Sequence, residues 1–266
     1  MKDILQIIWI NIKNKKSLLL ILVAINVFLI LTYALIWPSL ASQMKALNEL
    51  MATLPPAFLK GFNIESQLNG NFESMLVTKQ FGSTLPILLV ILTTSLGGDS
   101  IASEIDKGTI QMYLTLPISR TKYFVSRYLS GALIVLLFSI FSVLIAVPIS
   151  WIFNLDVTVS HYLVYTISTF LLGLTFFSIS YLVSAISSVT NRVVIVSILV
   201  FLVSYVINVI SGLSDKLVDL KYFSLIYYFG PSETIVNYSI PVFIGISIIC
   251  FVLGLKLFKR RDISIR

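Results

Sequence analysis

Residues 103–127 read SEIDKGTIQMYLTLPISRTKYFVSR, a polar stretch with charges of both signs set between the apolar runs 84–101 and 129–150. What surrounds it decides the fold. The chain of 266 residues is 57% hydrophobic and only 12% charged, where a soluble domain carries about a quarter charged residues. Its mean hydropathy is +0.97. So few polar groups cannot cover a water-soluble globule, and the sequence reads as an all-α integral membrane protein.

A helix crossing about 30 Å of hydrocarbon needs roughly 20 apolar residues. Six segments meet that need: Ser17–Trp37, Thr84–Ile101, Leu129–Ser150, Tyr162–Ile186, Val193–Gly212 and Ile240–Phe258. Together they read as a single transmembrane domain over 1–266, with longer loops at 38–83 and 213–239. The first run is too long for the apolar core of a signal peptide and reads as an uncleaved span.

Basic residues orient the bundle. Lys2, Lys13, Lys15 and Lys16 precede the first span, and Lys107, Arg120, Lys122 and Arg127 lie between the second and third. Arg192 lies between the fourth and fifth, and Lys259, Arg260, Arg261 and Arg266 follow the sixth. Lysines on the other side are diluted by acids over long loops. Both termini are therefore expected in the cytoplasm, with the chain in the plasma membrane. The net charge of +7 belongs to this topology rather than to nucleic-acid binding.

Three further segments have their own pattern. Residues 1–17 place Leu5, Ile8, Trp9 and Ile12 on one helical face, which predicts an amphipathic helix lying on the inner leaflet, the alternative being a plain extension of span one. The stretch 39–54 has helical apolar spacing. The aromatic run with Tyr222, Phe223, Tyr227, Tyr228 and Phe229 suits a short re-entrant or interfacial helix ended by Gly230-Pro231.

Wound at 100° per residue, 101–116 puts Ile101, Ile105, Thr109, Met112 and Leu116 on one stripe. Glu104, Lys107, Gln111 and Thr115 form a polar arc. Pro117 ends this helix, and Ser119 is placed to cap the next one, which carries Lys122 and Arg127. A plain connector explains neither the continuing stripe nor the acids Glu104 and Asp106. A short helix with one greasy and one polar face suits docking into a partner's groove.

This stretch resembles the cytoplasmic segment of ABC-2 type transporter permeases. The matching residues are Glu104, Gly108-Thr109, Leu114, Pro117-Ile118-Ser119-Arg120, and Arg127 where the family often has lysine. The six-span layout and the terminal Phe258–Ile263 are similar too. The resemblance implies two membrane subunits, identical or homologous, docked on a separate dimer of ATP-binding cassette proteins. It makes the segment before span three a coupling helix, with Glu104, Lys107, Gly108, Thr109, Gln111, Pro117, Ser119 and Arg120 as partner-coupling residues. The chain has no Gly-x-x-x-x-Gly-Lys-[Ser/Thr] phosphate loop, so no cofactor is expected in it. ATP and Mg²⁺ are expected on the partner.

Within the spans, polar residues are few. Asp99 follows Gly97-Gly98 near the inner end of span two, as a path residue or an interfacial one. Asn26 and Asn208 are uncharged and suited to bonding across helices. Ser180, Ser184 and Ser188, with Thr169 and Gly173, make a small-residue stripe that favours close packing of span four or faces a pore or subunit interface, and Asn208 is a path or packing residue likewise. Pro148 is expected to kink span three. His161 reads as an interfacial residue, and the lone Cys250 excludes an intrachain disulfide. No cluster of catalytic or metal-ligating types appears in any span, which argues against an intramembrane enzyme. The scarcity of intramembrane charge disfavours proton or ion coupling and suits a hydrophobic or amphipathic cargo. The remaining alternative is a membrane anchor or assembly protein that docks a cytoplasmic partner without transport.

Overall fold

The computed structural model describes residues 2–53, 71–109, 119–213, 215–230 and 233–261. Among them there is no strand. Six helical stretches are long and apolar enough to cross a membrane: Ile8–Ala41, Phe72–Gly98, Arg120–Ile152, Val159–Ile186, Thr190–Leu213 and Tyr238–Arg260. We number these spans one to six. The protein is a multi-pass, all-helical membrane protein.

Span one is part of one helix, Lys2–Ala52, of 51 residues. The N-terminal stretch expected as a separate interfacial helix therefore runs unbroken into the span. No glycine or proline occurs before Pro38 to stop it, and the helical stretch expected after Pro38 is its continuation. Span three behaves differently. Its helix Arg120–Leu144 gives way to Ala146–Ile152 with a break at Ile145. Pro148 has no N–H to donate to Leu144, four residues back, and its ring crowds that carbonyl.

Span four is the post around which the bundle is built. In its most apolar window 67% of residues are buried, against 22% in spans five and six. Small residues let neighbours close on it. A Cβ on Gly97 of span two would stand 2.4 Å from Ser180 Cβ, and one on Gly131 of span three 2.1 Å from the Phe177 ring. An aromatic cluster then locks spans three, four and six. Phe124 lies 4.7 Å from Tyr181 and 5.6 Å from Phe251, ring to ring, and the Tyr181 hydroxyl donates to Phe124 O at 2.8 Å.

After span five, the 3₁₀ helix Asp215–Phe223 leads into a turn that folds back between the helices. Leu225 N–H donates to Ser204 Oγ at 2.8 Å, and the Ser224 hydroxyl donates to Ser204 O at 2.7 Å. On the other flank, the Ser168 hydroxyl donates to Gly230 O at 3.2 Å. Ser204 and Ser168 each lie nine residues inside their helices, about 14 Å from the ends. Non-helical backbone at that depth is tolerated because protein groups satisfy it.

Candidate functional site

The end of the bundle that holds the start of span one and the finish of span six is polar, and its side chains are interlocked. Span two stops at Gly98, and the chain turns through Asp99 and Ser100 into the short helix Ala102–Asp106. Ser184 of span four organises that turn, its hydroxyl oxygen accepting from Ala102 N–H at 2.9 Å, Ile101 N–H at 3.2 Å and the Ser100 hydroxyl at 3.0 Å. The turn is thereby pinned to the most buried span.

From this platform two carboxylates reach back to span one and forward to span three. Asp99 pairs with Lys15, whose ammonium also donates to Ser95 Oγ at 3.2 Å. Glu104 accepts from Arg127 Nη2 at 2.5 Å, and both side chains are almost out of solvent, 17% and 10% exposed. Arg127 Nη1 donates to Asn11 Oδ1 at 2.5 Å, and Asn11 Nδ2 donates to Ser130 Oγ at 3.3 Å. The Thr109 hydroxyl donates to the other Glu104 oxygen. A cavity of about 290 Å³ opens here, rimmed by Lys15, Asp99, Glu104, Lys107 and Arg127 and reaching Ile134 and Phe177.

Arginines and an acid also satisfy the helix ends. Arg261 Nη1 donates to Ala185 O and Ser187 O, each at 2.9 Å, at the finish of span four. Burial draws its guanidinium pKa below the ordinary value. Arg120 Nη1 donates to Arg261 O at 2.8 Å, at the finish of span six. Asp106 accepts from Thr190 N–H at 3.2 Å and from the Thr190 hydroxyl at 3.1 Å, capping span five. Cations at C-terminal ends and an anion at an N-terminal end each complement the helix dipole.

A family model described as ABC-2 family transporter protein matches residues 5–263. The chain belongs to that family. The comparison with curated proteins finds no match. Membership accounts for the permease resemblance of the polar segment, and it brings association with an ATP-binding cassette subunit and with the membrane. Permeases of this family are normally non-catalytic membrane subunits.

In this ABC-2 chain the expected site residues separate into groups. Glu104 faces inward to Arg127, Thr109 donates to Glu104, and Lys107 is exposed at the cavity rim. Ser119 caps span three, accepting from Lys122 N–H at 3.3 Å. Arg120 binds backbone at the end of span six. Asp99 belongs to the ion-pair network. Ser180 donates to Ser197 Oγ at 2.7 Å, so with Ser184 it packs spans two, four and five. Asn208 stands apart, five residues from the far end of span five, where its carbonyl accepts from Ser211 Oγ. Gln111 and Pro117 lie outside the described residues.

One expectation is overturned. The single helix over 101–116 stops at Asp106, and Gly108 has φ of +70°. Gly108 N–H donates to Ile105 O at 3.0 Å. That left-handed position ends a helix and strongly prefers glycine, so the signal lay in the sequence. Met112 and Leu116 of the expected stripe lie outside the described residues. Sequence reading missed Asn11 and Arg261, which are ordinary polar residues until the fold brings their partners.

His161 sits at the opposite end, 2.8 Å from Glu73 Oε1. Among the described residues no three His, Cys, Asp or Glu side chains converge as a metal site would need.

Proposed function

We propose that this chain is the permease subunit of an ABC-2 type exporter. It forms the membrane path and couples to a separate ATP-binding cassette subunit, which binds ATP and Mg²⁺. A second permease chain, identical or homologous, completes the path. In this reading the whole of 1–266 is one transmembrane domain in the plasma membrane, with both termini in the cytoplasm.

The observation that carries the reading is the Glu104–Arg127–Asn11 contact. It ties the stretch just before 110–118 to spans one and three at once. A partner docked on 110–118 and on exposed Lys107 would push a segment already joined to the bundle by near-buried charges. Gln111 and Pro117 belong to the docking face. Glu104, Gly108, Thr109, Ser119 and Arg120 transmit the displacement, which shifts the bundle between inward- and outward-open arrangements. The cargo is hydrophobic or amphipathic. In support, the buried polar groups of the bundle interior, such as Asn26, Gln80 and Thr175, are uncharged.

The test is co-purification with the cassette subunit, followed by ATPase and efflux assays in vesicles. Glu104→Ala is expected to leave the cassette bound and to uncouple hydrolysis from efflux. Wild-type coupling in Glu104→Ala and Arg120→Ala would remove the transmission role. Failure of any cassette protein to bind would remove the exporter reading and leave a docking anchor.

A further inference from the structure

Span two is helical throughout, yet of more than one kind. Phe72–Met75 is α-helical, Leu76–Thr84 is a π-helix of nine residues, and Leu85–Gly98 is α-helical again. π turns are rare, mostly single, and frequent at functional sites, so a stretch this long needs a cause. Pro86 supplies one. It lacks the N–H the ladder needs, and its ring crowds the carbonyl four residues back, at Gly82. A wider turn relieves the crowding, and Leu85 N–H then donates to Gln80 O, five residues back. The hydroxyls of Thr84 and Ser83 reach the carbonyls of Lys79 and Thr78, also five back, at 3.1 and 3.4 Å.

The π stretch carries a buried amide. Gln80 Nε2 donates to Asn26 Oδ1 of span one at 2.5 Å, and Asn26 Nδ2 donates to Ser142 O of span three at 2.7 Å. All three residues are fully buried. Among the described residues, Gln80 Oε1 and Ser142 Oγ nevertheless have no hydrogen-bond partner. A buried network left part-filled is costly, and each such orphan in a native protein calls for a reason. The place supplies that reason. Ser142 stands three residues before the break at Ile145, so the contact joins the two proline-made discontinuities, at Pro86 and Pro148. Gln80 sits in one short piece, Phe72–Thr84, and beyond Ser142 lies another, Ala146–Ile152. The first is tied to span four by Glu73, which accepts from His161 and from Thr158 N–H at 3.3 Å. His161 is 56% exposed, so this tie is weak.

We propose that spans two and three are jointed. Their outer pieces, Phe72–Thr84 and Ala146–Ile152, move together against the inner bundle, and Asn26–Gln80–Ser142 is the catch that holds the position described here. The two unfilled hydrogen-bonding atoms are those that a second position uses. Packed interiors switch between discrete arrangements rather than deform smoothly, and a catch of neutral amides can release in a bilayer at modest cost. The joint needs nothing from the exporter reading except the link between its movement and ATP.

Amide hydrogen exchange on the full chain in lipid nanodiscs tests this. Replacing both amides together, Asn26→Leu with Gln80→Leu, keeps the volume and removes the catch. Exchange is expected to rise roughly tenfold in 72–84 and in 146–152, and to stay unchanged in 87–98. Pro86→Ala restores the donor, closes an α ladder and is expected to slow 76–85 by roughly tenfold. No rise in the double variant overturns the joint, as does an equal rise throughout span two, which marks general loosening. A Pro86→Ala chain with unchanged exchange overturns the proline as its cause. With the cassette partner bound, ATP is expected to alter protection of both outer pieces together. A change in one alone, or in neither, removes the paired movement. If no partner binds, the exporter reading fails and the nanodisc comparison still decides the joint.

Discussion

Two polar clusters hold this bundle, and they are built on opposite plans. At the terminal end, Lys15, Asp99, Glu104 and Arg127 carry full charges, and each carboxylate faces a cation. In the interior, Asn26 and Gln80 carry none, and Gln80 keeps an oxygen without a partner among the described residues. The difference follows from the medium. Near headgroup water, charges are cheap to keep and strong enough to tie segments distant in sequence. Deep in hydrocarbon a charge is expensive, so the contact is made by amides and is weaker. The first cluster suits transmission of a load, the second suits release.

The largest effect should come from breaking the near-buried pair. Glu104→Ala takes the carboxylate from near-buried Arg127 and is expected to cost about 3 kcal/mol, read as lowered thermal stability of the chain in nanodiscs. Adding Arg127→Met in the same chain should recover part of that loss, because no lone charge remains. A smaller loss separates the interior cluster. Gln80→Leu leaves the Asn26 oxygen without its donor and should cost about 1 kcal/mol, unchanged between low and high salt. Lys15→Met should cost least, about 0.5 kcal/mol, since Asp99 keeps 39% of its side-chain surface. That loss should vanish at high salt. If Lys15→Met and Gln80→Leu respond alike to salt, the contrast between the clusters fails.

The spans were legible because lipid and protein interior demand the same apolar residues over the same length. The Ser119 cap and the break before Pro148 were legible because each depends on a few neighbouring residues. The start of span two was not. Glu73, Lys79 and Gln80 dilute the apolar run between 72 and 84, and their partners lie on other spans, so the sequence reading begins the span at Thr84. The ion-pair network was hidden for the same reason. Lys15 and Asp99 are 84 residues apart, and Asn11 and Arg127 are 116 apart. Helical periodicity says which residues share a face and nothing about which faces meet. Gly108 is the exception, a stop signal outweighed by the apolar stripe on either side of it.

Arg261 gives the order of synthesis a structural meaning. The carbonyl of Ala185 finds its donor 76 residues later in the chain, and the carbonyl of Arg261 itself takes the donor from Arg120, 141 residues earlier. Span four is thus made well before the residue that closes its end, and Arg120 of span three well before the carbonyl it satisfies. The bundle resembles a purse whose drawstring is threaded last. A chain stopped at Arg260 would have all six spans and an open mouth.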